Sequence, residues 1–288
     1  MFVRAPAKLN LCLYLGGTRD DGLHELRSLF CPLALSDRIT VTTSDTDSDE
    51  VVCDEVDGPN LAEAALIALR ERGWKSPPLR IEIDKRIPVA AGLGGGSADA
   101  VAVLRLADGD VDGLPDLARK LGADVPSQLE PGFTLVGGAG ERLEGLRTPA
   151  PVGVVLIPFE PGLSAGEVYA EADRLGLGRK EEELGAIEGK LREAAGGGAS
   201  PLSYKELLVN DLEEAAVSLR PQISGALDAL REAGAEATFV TGSGPTAVGL
   251  FGDVVAADRG FGELGLEWAD AIVTASVTKA VTGLDLTP

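Results

Sequence analysis

The segment Pro88-Val89-Ala90-Ala91-Gly92-Leu93-Gly94-Gly95-Gly96-Ser97 has the residue types and spacing of an anion-binding loop. Its four glycines leave the backbone free to take positive φ and to bring uncovered N–H groups against a ligand. A helical run from Ala98 to Ala107 follows, and Ser97 stands where it would cap that helix or fill its first turn. The unpaired amides and positive end of such a helix hold phosphate oxygens. Two familiar phosphate loops do not fit: the Lys-Ser/Thr ending of a Walker site is missing, and Ser97 occupies the last glycine position of G-x-G-x-x-G. A flexible surface loop is the alternative, and the helix that follows speaks against it.

Asp124, in Leu121-Gly122-Ala123-Asp124-Val125-Pro126, could accept or orient the proton of an attacking hydroxyl. Its competing role is to cap a helix begun by Pro126. Lys8 and Asn10 fall on one face of a strand, either as a solvated face or as part of a site. Thr241-Gly242-Ser243-Gly244-Pro245-Thr246-Ala247 can be written G-x-G-x-x-A, but the pattern after it is that of a strand. It reads as a tight connection that could close over a substrate.

The elements around these groups follow from periodicity. Leu9, Leu11, Leu13 and Leu15 alternate with Lys8, Asn10, Cys12 and Tyr14, which predicts a half-buried strand. Asn60 is placed to cap a helix through Arg72, with Glu63 at the capping-box position and Gly73 as the stop; Leu79, Ile81 and Ile83 alternate as a strand. The glycine loop comes next. After Pro149-Ala150-Pro151 a new apolar strand begins, then helical segments and a strand-turn-strand stretch from Thr238 to Phe251. Two domains are predicted, residues 1–150 and 151–288, with an exposed helix and loop over Arg179 to Ser200.

Composition narrows the chemistry. Subtracting 26 Lys plus Arg from 46 Asp plus Glu leaves twenty negative charges, a field that repels nucleic acid and anionic membrane. An anionic ligand must therefore be held by a local device. His24 is the only histidine, which excludes multi-histidine zinc sites, and the sequence has no G-x-S-x-G elbow to recruit it into a serine triad. Cys12, Cys31 and Cys53 are odd in number and lack C-x-x-C spacing, so a reducing cytoplasm and neither disulfides nor a zinc cluster are expected. Val152 to Phe159 is far too short to span a bilayer, and no signal peptide or membrane helix is expected.

Taken together, the loop from Pro88 to Ser97 resembles the phosphate loop of the GHMP kinases, and Gly242-Ser243-Gly244-Pro245-Thr246 resembles their third motif. Five further segments resemble the 4-diphosphocytidyl-2-C-methyl-D-erythritol kinases among them: Ala5 to Leu11, Asp21 to Leu26, Ile83 to Pro88, Gly122 to Pro126 and Asn210 to Glu213. The resemblance implies an α+β, two-domain GHMP kinase fold, with a left-handed βαβ crossover in the N-terminal domain and a ferredoxin-like C-terminal domain. It implies ATP and Mg2+, with Asp124 as base and Lys8 beside it. Asn60, Lys85, Pro88, Gly92, Leu93, Gly94, Gly95, Gly96 and Ser97 would meet ATP; the metal ligands stay open. Asn10, Leu23, His24, Tyr169, Gly242 and Ser243 would meet a cytidine diphosphate sugar alcohol, His24 at the cytosine. Leu23 stands where these kinases usually carry tyrosine, and Ser127 and Gln128 where they carry aromatics. A homoserine or mevalonate type of kinase, or a nucleotide-binding regulator without turnover, is the alternative. The oligomeric state, a homodimer included, stays open.

Overall fold

The computed structural model describes residues 1–56 and 58–277. Two long strands organise its first half. β1 (Phe2–Thr18) pairs antiparallel along β2 (His24–Thr43), with irregularities between Pro6 and Lys8, Asn10 and Cys12, and Leu15 and Thr18. Such bulges bend a strand and re-aim its side chains. The second half of β2 also pairs with β4 (Leu79–Asp84), and its first half with β5 (Thr134–Gly138), which carries β6 (Arg142–Gly145) on its far side. The predicted half-buried strand is in fact buried on both faces: Lys8 is 6% exposed, Asn10 3% and Cys12 0%. Alternation reported one apolar face but not the second layer laid over the polar one.

β3 (Glu50–Val52) runs parallel to β4, and α1 (Leu61–Glu71) lies between them in sequence, making a parallel βαβ unit. Asn60 Oδ1 accepts from Ala62 N at 2.8 Å, so the expected cap is made, without the Glu63 half of a capping box among the described residues. Ala62, Ala65, Leu66 and Leu69, one helical stripe, bury against α2 (Gly95–Leu104). α2 is buried from Ala98 through Leu104, which its small residues permit. It begins three residues before the predicted helix: Gly94 is its N-cap and Ser97 lies in its first turn. The short α3 (Leu114–Leu121) and α4 (Val125–Leu129) close this half.

The second sheet has the order β10-β7-β9-β8, all antiparallel, from β7 (Gly153–Ile157), β8 (Ala237–Val240), β9 (Ala247–Phe251) and β10 (Ile272–Ala275). Helices α5 (Ala165–Leu175), α6 (Glu181–Gly196), α7 (Glu213–Leu219) and α8 (Gln222–Glu232) connect β7 to β8, and α9 (Val254–Glu263) connects β9 to β10. Strand order and connections are those of a ferredoxin-like layer. One core cluster joins Leu9, Leu11 and Leu29 of the first sheet to Val154, Leu156 and Val248 of the second. The first sheet is also tied to the second half of the chain by isolated bridges from Leu13 to Asn210 and from Leu33 to Ser276.

The segment predicted as an exposed helix and loop is exposed over most of its residues but carries one buried apolar stripe. Leu184, Leu191 and Ala195 of α6 enter the shared core. Arg27, its side chain 3% exposed, reaches Glu188 and Glu181 of that helix as well as Glu25. A charge count over Arg179 to Ser200 hides the apolar spacing of these three residues. The three cysteines are free thiols, and among the described residues no helix is long and apolar enough to cross a membrane.

Candidate active site

β1 delivers Lys8 and Asn10 to the middle of the molecule. Lys8 Nζ lies 3.2 Å from Asp124 Oδ2, donates to Asn10 Oδ1, and stands 4.7 Å from the centre of the Phe30 ring. Asn10 Nδ2 donates to Ser28 Oγ at 3.0 Å, and its backbone N–H donates to Thr241 Oγ1 at 2.9 Å. Asn10 is thereby fixed from both halves of the molecule. Asp124 occupies the N-cap position of α4, but among the described residues its side chain makes no cap hydrogen bond. It faces Lys8 with 38% of its side chain exposed, open to a ligand. A carboxylate beside a buried ammonium, free on its other side, can take a proton from a hydroxyl.

The glycine loop packs on the β8–β9 connection. A Cβ on Gly92 would come within 2.4 Å of Thr241 O, and Gly92 has φ +76°, so only glycine fits. Gly94 also takes positive φ, at +69°. Gly95 and Gly96 instead form the first turn of α2 and leave its N-terminus bare; a Cβ on Gly95 would also press on Ile87 and on Lys85 Nζ, each at 3.1 Å. The connection itself is held by Asn210, whose Nδ2 donates to Val240 O at 2.6 Å and Gly242 O at 2.8 Å. The Asp211 carboxylate accepts from Arg179 Nε and Nη2, each at 2.6 Å. The Asn210-Asp211 pair therefore braces the site.

Beneath the loop, Lys85 Nζ donates to Asp99 Oδ2 at 2.8 Å and to Asp37 Oδ2. Asp37, fully buried, also accepts from Arg86 N at 2.6 Å and Ile87 N at 2.8 Å, fixing the entry to the loop. Asp99 is less well served: among the described residues its buried Oδ1 has no partner. Burial, opposed by Lys85 and reinforced by Asp37, pushes the Asp99 carboxyl up to about 7. The folded chain then holds this proton more tightly than the unfolded chain, so the group's contribution to stability is present below about pH 4 and is lost as pH rises to about 7. Asp99→Asn is expected to remove that slope: the melting temperature of wild type should fall relative to the variant between pH 4 and 7. Parallel curves for the two would contradict it.

At the other end, Tyr169 of α5 places its ring 5.1 Å from the His24 ring at 36°. His24 Nε2 lies 2.8 Å from Asp173 Oδ1. Burial and the nearby Asp124 charge push the Tyr169 phenol up to about 12, so it is neutral. Leu23 is 51% exposed at the rim. Gln128, one of the two residues standing in for aromatics, is buried with its Nε2 unpartnered among the described residues.

Three cavities adjoin one another. The first, about 300 Å³, is lined by Asn60, Lys85, Pro88, Leu93 and the glycines through Ser97. The second, about 330 Å³, shares Gly92, Gly94 and Ser97 with it and holds Lys8, Asn10, Asp124, Gly242 and Ser243. The third, about 450 Å³, shares Leu26, Ala139 and Tyr169 with the second and ends at Leu23 and His24. Every candidate site residue borders this one cleft. The sequence reading missed Asp37, Asp99, Thr241 and Asp173; only Asp173 left a local signal, four residues after Tyr169 on one helix face.

Residues 60–128 match the GHMP kinases N terminal domain and residues 181–267 the GHMP kinases C terminal domain. A 4-diphosphocytidyl-2-C-methyl-D-erythritol kinase of Streptomyces avermitilis is 39% identical over 269 residues, spanning 89% of each chain. One of Rhodococcus jostii is 40% identical over 276 residues, spanning 91% of this chain and 87% of that one. A crystal structure of 4-(cytidine 5'-diphospho)-2C-methyl-D-erythritol kinase superposes with a TM-score of 0.79 at 33% identity, covering 96% of this chain and 100% of that one. The homoserine kinase of Cytophaga hutchinsonii, at 18% identity and a TM-score of 0.69, shares the fold. The chain belongs to the GHMP kinases and, within them, to the 4-diphosphocytidyl-2-C-methyl-D-erythritol kinase family.

Proposed function

We propose that this chain transfers the γ-phosphoryl group of ATP to the 2-hydroxyl of 4-diphosphocytidyl-2-C-methyl-D-erythritol, a step of the non-mevalonate isoprenoid route in the cytoplasm. The observation that carries this reading is the position of the Lys8–Asp124 pair between the bare glycine loop and the His24–Tyr169 end of one continuous cleft.

In this reading Asn60 and Lys85 border the nucleotide, while the first amides of α2 and the Ser97 hydroxyl take its phosphates. Asp124 accepts the proton of the 2-hydroxyl as its oxygen bonds to the γ-phosphorus, and the bond to the bridging oxygen of ADP breaks. Lys8 orients that carboxylate through the 3.2 Å ion pair and offsets charge as it develops on the phosphoryl group. Asn10 holds the Lys8 ammonium in place. A magnesium ion brought in with the nucleotide would find the Ser97 hydroxyl, on the wall shared by the first two cavities, as a protein oxygen able to hold it. When bound, such an ion supplies charge neutralisation across the β- and γ-phosphates.

The test follows from the far end of the cleft. His24→Ala should raise the KM for the cytidine substrate about ten- to a hundredfold, because a buried base edge loses its partner, and leave the KM for ATP nearly unchanged. Equal effects on both values, or none on either, would overturn the cytidine assignment.

A further inference from the structure

The pyrimidine end of the cleft holds a carboxylate that the transfer itself does not use. Asp173 stands one helical turn beyond Tyr169 on α5, so the ring and the carboxylate come to His24 from one face. Its Oδ1 is 2.8 Å from His24 Nε2; the Thr18 hydroxyl approaches the same nitrogen at the longer distance of 3.3 Å. The His24 side chain is 9% exposed, while that of Asp173 is 55% exposed. Among the described residues His24 Nδ1 has no hydrogen-bond partner, and the ring borders the cavity of about 450 Å³.

A carboxylate only accepts hydrogen bonds, so the hydrogen of the neutral imidazole belongs on Nε2 and the lone pair on Nδ1. We infer that Asp173 is a positioning residue for pyrimidine choice: it locks His24 in the Nε2–H tautomer and so presents Nδ1 as an acceptor to the exocyclic 4-amino group of cytosine. Uracil carries an oxygen at that place, which would set one acceptor against another. Stacking on Tyr169 serves both bases equally, so the discrimination comes from Nδ1. Without Asp173 the ring can take either tautomer, and the Nδ1–H form favours the uracil oxygen. This inference rests on the cytidine substrate proposed above.

The chain has a single histidine, so 15N-histidine labelling gives the signals of His24 alone. They should show the Nε2–H tautomer in wild type and a mixture in Asp173→Ala. In kinetics, wild type should prefer the cytidine diphosphate substrate over its uridine analogue by about ten- to a hundredfold in kcat/KM. Asp173→Ala should bring that ratio close to unity by raising the cytidine KM, with kcat and the KM for ATP unchanged. Asp173→Asn, whose amide oxygen still accepts from Nε2–H, should keep most of the preference. A purely structural residue would lower both substrates together. An unchanged ratio in Asp173→Ala, or an equal loss in Asp173→Asn, overturns the inference. Failure of wild type to phosphorylate the cytidine substrate at all would instead remove the reading beneath it.

Discussion

Asp124→Asn should fold and bind ATP as wild type does while kcat falls by about a hundred- to ten-thousandfold, the usual worth of a positioned general base. The fold should survive because the lost carboxylate makes no cap hydrogen bond on α4, and the helix keeps its Ser127 hydroxyl bonded to Asp124 O at 2.7 Å. Lys8 keeps Asn10 Oδ1 as an acceptor, so the ammonium is not stranded. ATP affinity should hold because Asp124 borders the middle cavity and not the one lined by Asn60 and Lys85. Steady-state kinetics with a thermal melt checks this; turnover near that of wild type would return Asp124 to the role of a helix-start residue.

The second large effect is expected at Gly92. An alanine there must hold φ near +76° with its Cβ 2.4 Å from Thr241 O and 3.1 Å from Gly244 O. The left-handed conformation alone costs about 1–2 kcal/mol, and two backbone oxygens cannot move aside cheaply. The glycine loop would be pushed off the β8–β9 connection, widening the cleft where phosphates and substrate meet. Gly92→Ala should therefore lower the melting temperature by several degrees and raise the KM for ATP at least tenfold. Gly96→Ala is the contrast: its added carbon meets only Leu61, at 3.7 Å, and should leave stability intact. A Gly92→Ala protein with wild-type stability and ATP affinity would contradict this packing.

The contrast between the two glycines shows what the sequence could and could not convey. Spacing pointed to a glycine-rich loop running into a helix, but treated its glycines alike; only the backbone separates Gly92 and Gly94, which take positive φ, from Gly95 and Gly96, which lie in the first turn of that helix. Local patterns were legible: the Asn60 cap, the β8–β9 hairpin and the Leu9 to Leu15 alternation all reflect forces acting over a few residues. Long-range facts were not. Nothing near Lys8 tells that Thr241, far along the chain, bonds Asn10, or that α6 is tied to Arg27. Asp37 and Asp99 lie far apart in sequence, and only the fold sets Lys85 between them. For Asp124, sequence physics left cap and base in competition, and the side chain's turn toward Lys8 favours the second.

The central claim is the identity of the alcohol that meets Asp124, and ADP release with three acceptors tests it most directly. Purified protein with magnesium and ATP should release ADP steadily with 4-diphosphocytidyl-2-C-methyl-D-erythritol, and at background level with homoserine or mevalonate. Faster release with homoserine or mevalonate, or none above background with any of the three, would contradict the account.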